Sequence, residues 1–206
     1  MSKEFFIARR PSHFSVNPLV KAFILSEMFL WSAWNFVIPI FAIFATNEIQ
    51  GGNVKIAASA YSTYLIVRVI TELIAGKYLL DKKDAEKIID TVIGTFIIAV
   101  SFIGFSLSNT VLPLFIFFGT IGIGMGMSAP AKYSLFSCHL DKGKEALEWS
   151  FHDAISFTGM ALSATLGGFI AAEYGFKLLF FLASLVNLIA IVPYLVYLRL
   201  NHSNEH

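Results

Sequence analysis

The chain has 206 residues, 56% of them hydrophobic, with a mean hydropathy of +0.70 and a formal net charge of +1. That composition leaves too little polar surface to coat a water-soluble globule, whereas lipid solvates apolar side chains. A single net charge divided between two faces offers no basic surface to nucleic acid and points only to the anionic headgroups of a bilayer.

Six apolar stretches follow in chain order: Pro18 to Ala45, Ile56 to Leu80, Ile88 to Leu107, Val111 to Pro130, Phe151 to Tyr174 and Leu178 to Leu198. Each reaches the roughly 20 residues that cross about 30 Å of hydrocarbon as a helix. The expected fold is therefore an all-α membrane protein, with a six-helix transmembrane domain over residues 18–200, a cytoplasmic segment at 1–17 and a short polar tail at 201–206. The first stretch is too long for a signal-peptide core and no small-residue cleavage site follows it, so it is read as a retained helix.

Basic residues near the ends of spans are held on the cytoplasmic side. Lys3, Arg9, Arg10 and Lys21 precede or open the first span, and Lys77, Lys82, Lys83 and Lys87 surround the second connection. Lys132, Lys142 and Lys144 fall in the fourth connection and Arg199 follows the last span, against only Lys55 and Lys177 on the other face. Both termini are thus expected in the cytoplasm, below a plasma (inner) membrane. The connections Thr46 to Lys55, Ser108 to Thr110 and Gly175 to Lys177 are short, which makes successive helices antiparallel neighbours. Asp81 to Lys87 and Ala131 to Ser150 alternate acids with lysines, as solvated amphipathic segments do. The single Cys138 lies beside the cytoplasmic fourth connection, where thiols stay reduced, and is read as a bystander.

Small residues crowd two spans: Gly119, Gly122, Gly124, Gly126 and Ala129 in the fourth, and Gly159, Ala161, Ser163, Ala164, Gly167 and Gly168 in the fifth. Membrane helices associate by close backbone approach at such residues, so these are expected packing faces. Pro39 and Pro193 each remove an intrahelical bond and are expected kinks. Between the second and third spans runs Gly76-Lys77-Tyr78-Leu79-Leu80-Asp81-Lys82-Lys83; Pro130 follows the glycines of the fourth span; and Gly175-Phe176-Lys177 with Phe180 joins the fifth and sixth.

In this order the motifs resemble one six-helix half of the major facilitator superfamily. The Gly76 to Lys83 segment is similar to that family's loop of Gly, three residues, Asp and basic residues, with one extra residue and no later Gly; the resemblance assigns Gly76, Asp81 and Lys82 a gating role. Gly159, Ser163, Ala164, Gly167 and Gly168 match the spacing of the fifth-helix signature, but Ser163-Ala164 replaces the Gly-Pro associated with antiporters. Phe118 stands where the fourth helix usually has an arginine, so that arginine's coupling role is absent. The resemblance implies two inverted three-helix repeats within this half, and a parallel homodimer, or a pairing with another half, around a central cavity.

Charged side chains at membrane depth cost about 2.5 to 3.5 kcal/mol on insertion scales, so they face a partner or a wet cavity. Glu27, Arg68 and Glu72 are the clear cases. Arg68 and Glu72 lie four residues apart on one helical face. Either they form a structural ion pair, or Glu27 or Glu72 takes up a proton and the making and breaking of the Arg68 pair couples it to movement. Trp31, Trp34 and Asn35, with Tyr64, offer aromatic planes and an amide to a polar ring, or else pack and bond between helices. His152 and Asp153 open the fifth span, as a proton relay or, the favoured reading, with Asp153 as a helix cap.

A rhomboid-like intramembrane protease would need a serine in a Gly-x-Ser-Gly context with a His partner, which does not occur. No cluster has metal-ligand spacing and no phosphate-cradling loop is present, so neither an enzyme nor a cofactor is expected. The expectation is a proton-coupled secondary transporter that works by alternating access as a homodimer on a small polar solute such as a sugar. The alternatives are an exporter of drugs or amphipathic cations and a non-transporting scaffold, the latter gaining little from buried charges.

Overall fold

Asn17 starts the first helix by accepting the Leu19 amide at 2.8 Å, with Pro18 placed where no amide hydrogen is needed. The computed structural model describes residues 16–202; most of the expected cytoplasmic lead, with Lys3, Arg9 and Arg10, and the end of the tail lie outside them. Helix α1 (Pro18–Val37) breaks at a 3-10 turn, Ile38–Ile40, that contains Pro39, and continues as α2 (Phe41–Asn47). Then come α3 (Val54–Tyr78), α4 (Asp84–Ser106), α5 (Val111–His139), α6 (Glu145–Tyr174), α7 (Phe176–Ile189) and α8 (Val192–His202). Pro193 sits in the first turn of α8, just past the break that separates it from α7. The α1–α2 and α7–α8 pairs are bent single rods, so the described chain forms six rods. Gly175, at φ +85°, is the one residue between α6 and α7, a left-handed position that suits glycine.

Five rods are long and apolar enough to cross a membrane: Pro18–Asn47, Asp84–Ser106, Val111–His139, Glu145–Tyr174 and Phe176–Leu200. The expected second span differs. Helix α3 has the length, at 25 residues, but Lys55, Arg68, Glu72 and Lys77 lower its apolar character. A second departure concerns Pro130, which does not end its helix. Proline removes one backbone bond, which membrane helices tolerate when packed by neighbours, and α5 runs on to His139. The connection expected over Ala131 to Ser150 therefore contracts to residues 140–144, and Lys132 is a buried helical residue rather than a loop lysine.

Helix α5 packs on α3 along one flank and on α4 along the other; α6 packs on α1; and α7 lies between α4 and α1. Glycines allow these approaches. A Cβ on Gly122 would fall 2.7 Å from the Tyr64 carbonyl oxygen and one on Gly126 2.6 Å from Thr71 Cβ, both on α3. Gly124 meets Gly94 of α4 backbone to backbone, Gly159 abuts Ser32 and Met28 of α1, and Gly167 abuts the Phe36 backbone. Ser163 is buried on the same helix as Gly159 and Gly167. A Cβ on Gly168 would meet no atom within 4 Å in the single chain, and Gly119 has only side-chain methyl groups near 4 Å.

At the end carrying the 48–53 turn the core is a plug of phenylalanines from four rods. Phe41 and Phe118 stack edge-on with centroids 4.7 Å apart, as do Phe44 and Phe180, and Phe105 lies 5.0 Å from Phe118. The Gln50 amide donates to the Asn109 carbonyl at 3.0 Å and ties two turns together there. Across the α4–α7 seam, Asn187 donates to the Thr95 carbonyl at 2.7 Å and Ser184 to that of Ala99 at 2.9 Å. Gly126→Leu is expected to lower stability by about 1 to 3 kcal/mol through overpacking against α3, whereas Gly168→Ala in the isolated chain stays within about 0.5 kcal/mol of the parent; unfolding in detergent measures both.

Candidate functional site

On α1 the spacing Phe23, Glu27, Leu30, Trp34 places one stripe toward the interior, and all four are buried. Glu27 is the only acid in that stripe. Its Oε1 accepts a hydrogen bond from Lys132 Nζ of α5 at 2.6 Å, and its Oε2 accepts one from Trp31 Nε1 at 3.0 Å. The side chains of Lys132 and Glu27 are 2% and 0% exposed, so this ion pair is removed from water on both sides. The Lys132 ammonium also lies 5.5 Å from the centroid of the Tyr133 ring, within cation–π range. On the α6 side, His152 Nε2 stands 4.0 Å from Glu27 Oε2, and its Nδ1 faces Asp153 Oδ1 at 3.0 Å.

A second polar set lies along α3. Arg68 Nε pairs with Glu72 Oε2 at 3.3 Å, and Arg68 Nη1 donates to the Tyr64 hydroxyl at 2.8 Å. The side chains of Arg68 and Glu72 are 22% and 38% exposed, so the pair contributes less than a buried one. The three residues expected as one cluster are thus divided: Arg68 with Glu72, and Glu27 with Lys132. No hydrogen bond or ion pair among the described residues joins the two sets. Tyr133 is close enough to interact electrostatically with Glu27, Arg68 and Glu72 alike.

Of the expected substrate-binding residues, Trp34 is buried with its ring 4.9 Å from that of Tyr64, and Tyr64 in turn holds Arg68. Trp31 is half-buried and serves Glu27. Asn35 donates to the Trp31 carbonyl of its own helix at 2.9 Å, so its amide nitrogen bonds along the helix rather than across to a neighbour. The result is a continuous wall from Trp34 through Tyr64 and Arg68 to Glu72. Trp34 and Tyr64 are buried, while the side chains of Arg68 and Glu72 are 22% and 38% exposed.

Of the expected gating-loop residues, Gly76 lies in the last turn of α3, and Asp81 and Lys82 lie in the connection to α4. Gly76 has open space at its Cβ position and Asp81 is exposed. Lys82 turns to Glu86 at 2.8 Å and lies 4.6 Å from the Tyr78 ring centroid; the hydrogen bond to Glu86 holds its ammonium above the usual lysine range. Nearby, His139 Nε2 meets Asp84 Oδ2 at 3.2 Å and Lys87 donates to Ser134 at 3.0 Å, joining α4 to the last turns of α5. Asp153 lies two turns inside α6, which begins at Glu145, so it does not cap that helix. No group of three His, Cys, Asp or Glu side chains among the described residues has the geometry of a metal site.

Lys132 is the residue that sequence reasoning missed. A signal was present: Phe118, Ile121, Met125, Ala129, Lys132 and Phe136 continue one helical stripe straight through Pro130, and a lone lysine in an apolar stripe needs an acid opposite.

The sequence profile of the Major Facilitator Superfamily matches residues 23–206. A search of the curated proteins returned no match. With five rods suited to crossing lipid, the profile match makes the chain an integral, multi-pass membrane protein.

Lys132→Met leaves Glu27 as a buried charge with no cation, and is expected to cost about 3 to 5 kcal/mol. Adding Glu27→Gln to that variant removes the stranded charge and should restore most of the loss. Unfolding in detergent of both single variants and the double variant measures the coupling; equal, additive losses would show that the two residues do not act as a pair.

Proposed function

The chain belongs to the major facilitator superfamily, a family of transporters rather than enzymes, and on that premise we propose that it moves a small polar solute by alternating access driven by protons. The observation that carries this reading is the Glu27–Lys132 pair, buried where α1 meets α5. A proton on Glu27 cancels the attraction and strands the Lys132 ammonium in the interior. The penalty, on the order of 3 to 5 kcal/mol, is of the size that redistributes two conformations, since about 5.5 kcal/mol carries an equilibrium from 1:99 to 99:1. Arg68 and Glu72 form a second switchable pair, and in this reading the solute binds beside it at Trp31, Trp34, Asn35 and Tyr64; a sugar suits aromatic faces flanked by charge-assisted donors.

Two inverted three-helix repeats are proposed from the pattern of neighbours. If each rod of the first three exchanges with its counterpart in the second three, the α3–α5 contact becomes the α6–α1 contact, α4–α5 becomes α7–α1, and α4–α7 maps onto itself. A parallel homodimer completes the cavity in this account. Leu65, Ile66, Val69, Leu73 and Ile74 on α3, and Phe157, Leu162, Leu166 and Phe169 on α6, support it by forming exposed apolar strips on the two outermost rods. Gly168, where a Cβ would meet no atom within 4 Å, leaves room on α6 for the second copy in this reading. Cytoplasmic termini in a plasma (inner) membrane remain the proposed orientation, because Lys82, Lys83, Lys142, Lys144 and Arg199 still gather at one end after Lys132 is withdrawn from the count.

The test is transport by reconstituted protein across a panel of sugars, amines and amphipathic drugs. Glu27→Gln should abolish proton-driven accumulation while counterflow exchange of the solute survives, with Glu72→Gln weakening both. Normal accumulation against a gradient by folded Glu27→Gln protein would end the coupling reading. Native mass measurement showing only single chains would remove the shared cavity.

A further inference from the structure

Three polar side chains on α6, at Glu148, His152 and Ser156, repeat every four residues and so form one line along the helix. Glu148 and Ser156 are more than nine-tenths buried, the His152 side chain is 11% exposed, and each carries a buried atom with no hydrogen-bond partner: Glu148 Oε1, His152 Nε2 and Ser156 Oγ. Buried polar atoms are overwhelmingly hydrogen-bonded, so three consecutive exceptions on one face require an explanation. They lie on the seam where α6 meets α1, and the middle one points at Glu27.

The surroundings of His152 fix the direction of its two nitrogens. Phe23, Trp149 and Phe136 enclose the ring, with centroids 5.2, 5.6 and 5.9 Å away. Within that aromatic slot, Nδ1 is turned to Asp153, whose side chain is 55% exposed, and Nε2 to the fully buried carboxylate of Glu27. An imidazole accepts a proton at one nitrogen and releases one from the other, which side chains with a single titrating atom cannot do. The charged and titratable groups about the His152–Glu27 contact include Glu148 on the same helix as the ring, Lys132 on α5 bonded to Glu27, Tyr133 on α5 in the field of Glu27, and Tyr194 on α8, whose hydroxyl lies beside Ser26 and in the field of Glu27. Lys21 on α1 shares with Glu148 the lining of a surface cavity of about 300 Å³ at the start of the seam.

We infer that Asp153 and His152 form the proton route to Glu27, a proposal that rests on Glu27 being the coupling acid. Asp153 takes a proton from water and passes it to His152 Nδ1. The imidazolium then gives its Nε2 proton to Glu27 Oε2, leaving a neutral ring with its hydrogen on Nδ1; when Glu27 releases its proton back to Nε2, Nδ1 returns its own to Asp153 and the starting tautomer is restored. The 4.0 Å gap to Glu27 is longer than a hydrogen bond, and a displacement of about 1 Å closes it. Because the route ends on the oxygen opposite the one held by Lys132, proton arrival and release of α5 occur at the same carboxylate.

Infrared difference spectroscopy of the full chain in lipid nanodiscs after a pH jump reads this directly. The Glu27 carboxyl band is assigned by its disappearance in Glu27→Gln. In Asp153→Asn and His152→Gln the band should reach its full amplitude at least about tenfold more slowly than in the parent. Asp153 is exposed, so its variant tests the route even if substitution of the enclosed ring prevents folding. Unchanged relaxation rates in the folded variants, with a Glu27 band present, would overturn the relay and leave Glu27 as the coupling acid. Absence of any titrating Glu27 band in the parent would overturn both, and is distinguished by that amplitude alone.

Discussion

A buried ion pair costs desolvation on both sides, and among the described residues Glu27 and Lys132 form the ion pair that is buried on both sides. The pair sets the register of α1 against α5, because an ammonium on a flexible stem still has to arrive within 2.6 Å of a carboxylate buried on another rod. It also explains why α5 does not stop at Pro130. Ending the helix there would put Lys132 in the connection and leave Glu27 without a cation. Trp31 reinforces the arrangement by occupying the second carboxylate oxygen.

The two ends of the bundle are held by different physics. At one end, phenylalanine rings from α2, α4, α5 and α7 fill the space between rods, and the contacts are apolar and short. At the other, ion pairs and hydrogen bonds such as His139–Asp84 and Lys87–Ser134 join neighbouring rods, alongside buried polar atoms on α6 that lack a hydrogen-bond partner. An apolar plug resists opening because separation exposes its whole area, whereas polar contacts exchange readily with water. A bundle built this way has a firm end and an adaptable one, with the buried pair located between them.

Much of this was legible in the sequence because it follows from period and composition. Spans of apolar residues, the break at Pro39 and the four-residue spacing of Arg68 and Glu72 are local properties of one helix. Gly122 and Gly126 were readable as packing points for the same reason, although not which neighbour they would meet. What escaped depends on partners from distant segments. Lys132 looked like a loop residue because Pro130 and the charges that follow resemble a helix end, and only the acid on α1 reveals that the helix continues. Asn35 was expected to bond between helices if it was not binding solute, yet the nearest carbonyl acceptor was its own Trp31. Asp153 read as a cap because the apolar run begins beside it, while the actual first turn, from Glu145, is polar. Gly168 shares its helix with Gly167 but lies about 100° around it, which turns it from a packed face to an open one.

The most direct measurement is solid-state nuclear magnetic resonance on the full chain in lipid, with labels on the Glu27 carboxyl carbon and the Lys132 ammonium nitrogen. As pH is lowered, the account predicts that the Glu27 carboxyl signal moves from the ionised to the protonated position and that its dipolar coupling to Lys132 is lost over the same interval, while the helices remain folded. A carboxyl that stays ionised and coupled to Lys132 until the protein unfolds would contradict it, and would make the pair a fixed strut between α1 and α5.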